Sequence, residues 1–220
     1  MESASQPDSA AAASQRATPS ASRWAGLRTR VISGVIMAAA ALGGLMAGGW
    51  LFTLLVVAAG LQMIREWDAL TAQEQRWWKL AGVVYVAAPC ASLIWLRNLT
   101  LESDPDAGVH VVLYILLVVI ATDIGAFFAG RRIGGPKLAP SISPNKTWAG
   151  LGGGVVSAAV AGGVCAMFTP YPPSIIACAD MGALLALVAQ GGDLFESWLK
   201  RRVGVKDSGT LIPGHGGLLD

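Results

Sequence analysis

The sequence predicts an all-α fold: a polytopic integral membrane helical bundle of about six transmembrane helices with a cytosol-facing polar cavity. Of the 220 residues, 54% are hydrophobic and only 14% are charged, and the mean hydropathy is +0.55. This composition lies outside the range of soluble domains. Several apolar runs approach about twenty residues, the length that a helix needs to cross a bilayer core. Because the backbone finds no water in lipid, these runs are expected to be helices.

Composition divides the chain into three regions. Residues 1–22 are rich in Ala, Ser and Pro, cannot bury a core, and are predicted to form a disordered cytosolic tail. Residues 23–120 contain the N-terminal membrane helices, and residues 121–220 form a second membrane region that carries the motifs discussed below. A cleaved secretory signal is disfavoured, because the apolar run 31–61 is far longer than a signal core.

Glycines divide that first apolar run into two short or tilted spans. As one helix it would be about 46 Å long, too long for one upright span. Gly48 and Gly49 near its middle favour a tight hairpin. The predicted spans are 31–47, 51–64, 80–96, 109–129, 148–168 and 175–195, with a turn at 171–173 before the last. Gly150 and Gly154, one helical turn apart in the fifth span, allow close helix contact.

The distribution of cations predicts the orientation of these spans. Threading them alternately places all of the 16 Lys and Arg residues except Arg97 on one side. By the positive-inside rule that side is the cytosol, and the acidic loop 98–108 faces outward. We therefore predict a multi-pass protein of the cell inner (plasma) membrane whose polar loops are cytosolic.

The richest chemistry lies near the end of the chain. A helix starting at Asp193 would place polar side chains on one stripe opposite an apolar face. That stripe consists of Asp193, Glu196, Ser197, Lys200 and Arg201. A merely solvated face of an amphipathic helix is an equally good interpretation of this block alone.

The loops that follow favour phosphate chemistry. Glycines in 206–209 and 214–217 let backbone N–H groups approach an anion, with lysines nearby. The carboxylates of Asp193, Asp207 and Asp220 would repel phosphates unless divalent cations lay between them. The mixture therefore indicates Mg²⁺-bridged phosphate chemistry.

The same residues resemble a known family. Ser197-x-x-Lys200-Arg201, the loop 206–209 and the segment 211–220 resemble the phosphatidate cytidylyltransferase signature. The resemblance covers about residues 121–220 and implies that these form the catalytic membrane region. It implies a phospholipid-biosynthesis enzyme that makes CDP-diacylglycerol and pyrophosphate from CTP and phosphatidate, with Mg²⁺ at the cytosolic face.

A second motif lies in the loop 130–147. Its cations suit an anion, although a plain positive-inside loop would also be basic. The stretch 143–150 is similar to the family's second loop, with Ala149 where the family usually has Glu.

Asp123, within a span, needs a functional reason, because a charge near the bilayer centre costs about 3 kcal/mol. Counting the helix rise from the cytosolic end places Asp123 and Asp193 at depths where both line one cytosol-facing cavity. The same count places Asp180 at the opposite interface.

Carried over residue by residue, the resemblance implies a full site. The expected metal ligands are Asp193 and Asp220, with Asp123 in support. The expected catalytic residues are Asp193, Lys200, Arg201, Lys206, Asp207 and His215. The expected substrate-binding residues are Ser143, Lys146, Thr147, Ser197, Gly214, Gly216 and Gly217. His215 would contact phosphate or donate a proton, and ordering of its Gly-rich turn is an equally good interpretation.

Two other functions stay open at this stage. A CTP-dependent kinase of a membrane isoprenoid alcohol would need similar cations and metals. An ion-coupled transporter would also place Asp123 and Asp193 in spans, but it should show repeated halves, which are not found. The partners expected are CTP, phosphatidate and the lipid bilayer, with no nucleic acid, and a homodimer is left open.

The end of the sequence leads to one further expectation. The chain stops at Asp220, where the family pattern continues with Arg, an aliphatic residue and Asp, followed by another membrane helix. A terminal residue frays unless it is tied down, and a frayed Asp220 would misplace a proposed ligand. We therefore expect the 220-residue form to fold but to be nearly inactive, and the missing segment to restore turnover.

Overall fold

The computed structural model describes residues 19–169 and 174–220. Within these ranges the chain forms six helices and one two-stranded antiparallel sheet. In chain order they are α1 (Pro19–Ala47), α2 (Gly49–Leu70), α3 (Arg76–Arg97), α4 (Ala107–Arg132), β1 (Lys137–Ala139), β2 (Ser143–Thr147), α5 (Trp148–Ala166) and α6 (Ile175–Arg202). Each of these helices is long and apolar enough to cross a membrane.

The predicted membrane bundle is confirmed, with small differences at the ends of its elements. α6 continues past the predicted sixth span, so the polar stripe that begins at Asp193 is the last part of one long helix. The predicted tail lies outside the described residues up to residue 18, and residues 19–22 belong to α1 rather than to a disordered segment. The predicted turn at 171–173 also lies outside the described residues.

The first two spans form the expected hairpin. α1 ends at Ala47, and Gly48 and Gly49 have φ angles of 62° and 51°, in the left-handed region that favours glycine. Arg97 Nε donates a hydrogen bond of 2.8 Å to the carbonyl oxygen of Leu45, in the last turn of α1. Arg97, the cation that the charge distribution assigned to the side opposite the cytosol, therefore provides a donor for a carbonyl oxygen at the end of α1.

Small residues let α4, α5 and α6 approach closely. Val118, Ala158 and Ala186, one from each helix, are completely buried against one another. A Cβ at Gly154 would lie 3.0 Å from the carbonyl oxygen of Thr122, which confirms the close contact expected of this glycine. At Gly125 a Cβ would lie 2.5 Å from the carbonyl oxygen of Gly153. The backbones therefore touch where only glycine fits.

This packing predicts a clear stability difference between two glycine variants. Gly125→Ala should lower the free energy of unfolding by about 2 kcal/mol, because the added methyl overlaps α5 backbone. Gly152→Ala is the matched control, since a Cβ there meets nothing within 4 Å, and alanine favours helix. Thermal midpoints in detergent measure both. Equal midpoints for the two variants would contradict the close α4–α5 contact.

An aromatic cluster joins α2, α3 and the end of α6. The rings belong to Trp67, Trp78, Tyr85, Phe195 and Trp198. Trp67 Nε1 donates to the carbonyl oxygen of Trp78 at 2.8 Å, and Leu199 is completely buried beside these rings. The cluster fixes the end of α6, from which the C-terminal loop departs.

The loop between α4 and α5 contains the short sheet, which an all-α prediction did not include. Strand β1 pairs with β2, with Lys137 opposite Thr147 and Ala139 opposite Ser143. Pro144 is tolerated because every strand of a two-stranded sheet is an edge. Thr147 then caps α5, its Oγ1 accepting the N–H of Gly150 at 3.0 Å. The hairpin thereby fixes Lys146 close to the start of a membrane helix.

Candidate active site

A polar cavity of about 600 Å³ lies between α4, the hairpin and α6. Asp123 lines it from α4, Lys146 and Thr147 from β2, and Gln190 and Asp193 from α6. The two aspartates therefore share one cavity, as helix depth predicted. The fold therefore brings together four of the predicted site residues in this cavity: Asp123, Lys146, Thr147 and Asp193.

Lys146 is the central cation of this cavity. Its Nζ lies 2.5 Å from Asp193 Oδ2 and donates to Gln190 Oε1 at 3.1 Å. The Lys146 side chain is 19% exposed, whereas that of Asp193 is 52% exposed. Asp193 therefore stands at the open side of the cavity, where its other oxygen accepts only a long bond of 3.4 Å from Ser197 Oγ. Anionic ligands can reach both charged groups.

Asp220 lies at a different place, in a nest of donors formed by the C-terminal loop. Its Oδ1 accepts from Lys200 Nζ at 2.8 Å and from the backbone N–H of Ser208 at 3.0 Å. Its Oδ2 accepts from the backbone N–H of Ser208 at 2.9 Å and from that of Gly217 at 2.7 Å. The expected fraying of Asp220 is therefore wrong, because these bonds tie the side chain down.

These donors also set the ionisation of Asp220. Burial raises the pKa of its carboxyl, but the bonds from Lys200, Gly217 and Ser208 outweigh burial and hold the pKa below its ordinary value. Because the folded-state pKa is lowered, the carboxylate stabilises the loop fully above the pKa of an aspartate in the unfolded chain, about 3.9. That stabilisation is lost only as the pH falls below this value.

Lys200 and Arg201 differ in what they can bind. Lys200 Nζ also lies 3.0 Å from Glu196 Oε1, an ion pair rather than a well-aligned hydrogen bond. Lys200 thus lies between two carboxylates, Glu196 and Asp220, which already balance its charge. Arg201 is exposed to the surroundings. The lysine therefore acts as a bridge between α6 and the C-terminal loop.

Glu66 was missed by the sequence reasoning, although it holds the same loop. This α2 carboxylate is only 5% exposed. It accepts from the backbone N–H of Leu218 at 3.0 Å and of Leu219 at 2.8 Å, and from Ser208 Oγ at 3.1 Å. A Cβ at Gly217 would lie 2.4 Å from Glu66 Oε2, which explains the glycine. The available signal was an acidic residue beside Trp67 at the end of an apolar run.

The predicted set of three metal carboxylates is not one cluster. In the described part of the chain, no three His, Cys, Asp or Glu side chains lie close enough together to hold a metal ion. Lys200 and backbone N–H groups donate to both oxygens of Asp220 in the structure. Asp123 and Asp193, which line one cavity, could hold Mg²⁺ there, since this ion takes one or two carboxylates and completes its shell with water and phosphate oxygens.

Five more of the predicted residues line a second pocket, of about 590 Å³. Lys206, Asp207, Gly214, His215 and Gly216 lie here together with Arg30 of α1. His215 Nδ1 lies 3.0 Å from Ser33 Oγ, so the histidine attaches its loop to α1. The structure thus divides the predicted site into the Asp123–Asp193 cavity, the Asp220 nest and this pocket.

Comparison with known proteins identifies the family. The model of the cytidylyltransferase family matches residues 74–220. A phosphatidate cytidylyltransferase of Brucella suis biovar 1 (strain 1330) is 37% identical, over 88% of this chain and 87% of the relative. Proteins of the same name from Rickettsia bellii (strain RML369-C) and Rickettsia prowazekii (strain Madrid E) are 35% and 34% identical, covering 88% and 87% of this chain and 84% and 83% of the relatives. The chain, whose matched region includes the Asp123–Asp193 cavity and the Asp220 nest, belongs to the cytidylyltransferase family.

Proposed function

We propose that the protein transfers the cytidylyl group of CTP to phosphatidate, giving CDP-diacylglycerol and pyrophosphate. The relatives are named for this activity, and the chain matches them over most of their length. The observation that carries the proposal is the meeting of Lys146, Asp123 and Asp193 in one cavity of the family-matched region. A cation between carboxylates suits a triphosphate that arrives with a divalent ion.

The reaction is a substitution at phosphorus. A phosphate oxygen of phosphatidate forms a bond to the α-phosphorus of CTP, and the bond from that phosphorus to the bridging oxygen breaks. The electron pair leaves with pyrophosphate. Protein groups contribute mainly by positioning and by neutralising charge, because such transfers need little covalent help.

Lys146 is suited to the charge-neutralising role. In the structure its ammonium group contacts Asp193 and Gln190. A bound triphosphate would compete with Asp193 for this cation, and the loss of that ion pair would free the aspartate. Asp123 and Asp193 would hold Mg²⁺, which when bound supplies further charge neutralisation at the phosphates. Thr147 and Asn145, which line the same cavity, offer polar groups for orientation.

The helices and their charges support a proposal for the location of the cavity. The six apolar helices indicate a multi-pass membrane protein. We place it in the cell inner membrane with the cavity on the cytosolic side, because the basic ends of α4 and α6 lie at the cavity end of the bundle. CTP reaches the cavity from the cytosol, and phosphatidate from the bilayer.

Thiol labelling of intact cells tests this orientation. A cysteine introduced in the loop 98–108 should react with a membrane-impermeant reagent, because that acidic loop faces outward. A cysteine at Ser141, in the turn between β1 and β2, should be protected until the cells are opened. The reverse pattern would invert the proposed topology.

The acceptor lipid separates the proposal from a CTP-dependent lipid kinase. Detergent-purified protein is given labelled CTP and Mg²⁺ with either phosphatidate or a polyprenol. We expect label to enter lipid only with phosphatidate. Label entering the polyprenol instead would support the kinase, and no nucleotide turnover with either acceptor in any form of the chain would favour the transporter interpretation.

A further inference from the structure

The pocket between α1 and the C-terminal loop has the charge of an anion site. It shares no lining residue with the Asp123–Asp193 cavity. Arg30 and Lys206 line it, and in the described part of the chain neither of them makes an ion pair. The one carboxylate in its wall is Asp207. Two cations therefore face one anion, so a further negative charge is needed for balance.

An apolar groove of about 400 Å³ continues from this pocket along α1. Ile212 and Pro213 line both the pocket and the groove. On the α1 side the groove is lined by Ile32, Ser33, Ile36 and Met37. Arg30, Ser33 and Met37 recur at helical spacing and share one face of α1. From Arg30 to Met37 the groove descends about 10 Å.

The loop is attached to this face of α1. Ser33 Oγ donates to the carbonyl oxygen of Pro213 at 3.1 Å and lies 3.0 Å from His215 Nδ1. Gly214 has a φ of 83°, and a Cβ there would lie 2.8 Å from Arg30 Cγ. The pocket and the groove are therefore one continuous feature with a charged end and an apolar end.

We infer that this feature is an entry site that holds the phosphatidate molecule before its phosphate moves to the Asp123–Asp193 cavity, with the phosphomonoester on Arg30 and Lys206 and one acyl chain along Ile36 and Met37. The inference rests on the proposed function for the identity of the lipid. A phosphomonoester carries a charge of about −1.5 to −2 at neutral pH, which offsets the two cations. Arg30 lies near the start of the candidate span Leu27–Ala47, the depth of lipid headgroups.

Matched variants test the charged end and the apolar end separately. Arg30→Gln removes the charge from the pocket, and Arg28→Gln removes the same charge two residues away, on another face of α1. Ile36→Trp fills the groove, and Val35→Trp places the same bulk outside it. These two positions are equally exposed, at 63% and 62%.

Binding of dioctanoyl phosphatidate to the detergent-purified protein is the readout. We expect Arg30→Gln to weaken binding at least about tenfold, because a hydrogen bond between charged groups is lost. Ile36→Trp should weaken it as well, whereas Arg28→Gln and Val35→Trp should bind like the parent. Dioctanoyl phosphatidylcholine should bind poorly to every form. If Arg30→Gln fails to fold, as judged by its thermal midpoint, Ile36→Trp decides the outcome.

Inorganic phosphate distinguishes a lipid from a soluble anion. If it competes as well as the lipid does and Ile36→Trp has no effect, the pocket takes free phosphate and the inference is overturned. Equal lipid binding by the parent, Arg30→Gln and Ile36→Trp also overturns it, even where CTP turnover is normal. Lipid binding that follows the expected pattern in a protein that transfers no cytidylyl group would instead reject the proposed function and keep the site.

Discussion

Replacing Asp193 by asparagine is expected to lower cytidylyl transfer by at least about a hundredfold with little loss of folded protein. The change removes the charge of the half-exposed carboxylate that contacts Lys146. It keeps the size of the side chain, and the packing of α6 stays the same. Initial rates at saturating Mg²⁺, beside the yield of folded protein, measure the effect.

Asp180 provides the control on the same helix. It is exposed near the other end of α6, and Asp180→Asn makes the same chemical change there. We expect its turnover to match that of the parent. Near-normal turnover by Asp193→Asn at saturating Mg²⁺ would rule out the role assigned to this carboxylate.

Glu66→Gln is expected to lower the free energy of local opening of the C-terminal loop by about 2 kcal/mol. The reason is that a charged acceptor of buried N–H groups is replaced by an amide with one oxygen. Amide hydrogen exchange of Ser208, Leu218 and Leu219 should speed up roughly thirtyfold. Turnover should fall with it, since this loop carries Asp220 and its bond to Lys200.

Glu74→Gln is the matched control for Glu66. Glu74 pairs with Arg202 at 2.8 Å, on the partly exposed surface of the bundle. Such pairs contribute about 0 to 1 kcal/mol. We expect loop exchange to stay nearly unchanged. If Glu66→Gln behaved in the same way, its carboxylate would not be what holds the loop.

Much of the fold is readable because the bilayer restricts the choices. Apolar runs of sufficient length must be helices, and Gly48 with Gly49 divides the first of them at a point that the charge distribution also requires. The meeting of Asp123 and Asp193 was predictable for the same reason. Helix rise fixes the depth of each side chain in its span, and costly charges at similar depth are expected to share one polar cavity.

The arrangement of the loops was less predictable, because their contacts join segments far apart in sequence. Nothing local to Glu66 states that it will accept hydrogen bonds from Leu218 and Leu219. Asp220 was assigned to a metal because carboxylates beside phosphate-binding cations suggest one. In the structure its oxygens accept hydrogen bonds from Lys200 and backbone N–H groups, and the metal role stays a prediction. Competition between a metal and nearby protein donors depends on tertiary geometry, and spacing alone does not reveal its outcome.

The position of the label that reaches the lipid tests the central claim most directly. The 220-residue chain, beside a form extended by the family's continuation, is incubated with phosphatidate, Mg²⁺ and CTP labelled at either the α- or the γ-phosphate. Cytidylyl transfer predicts that α-label enters the lipid and that γ-label leaves as pyrophosphate. Lipid carrying γ-label without α-label would contradict the account, because it would mean phosphorylation by a kinase.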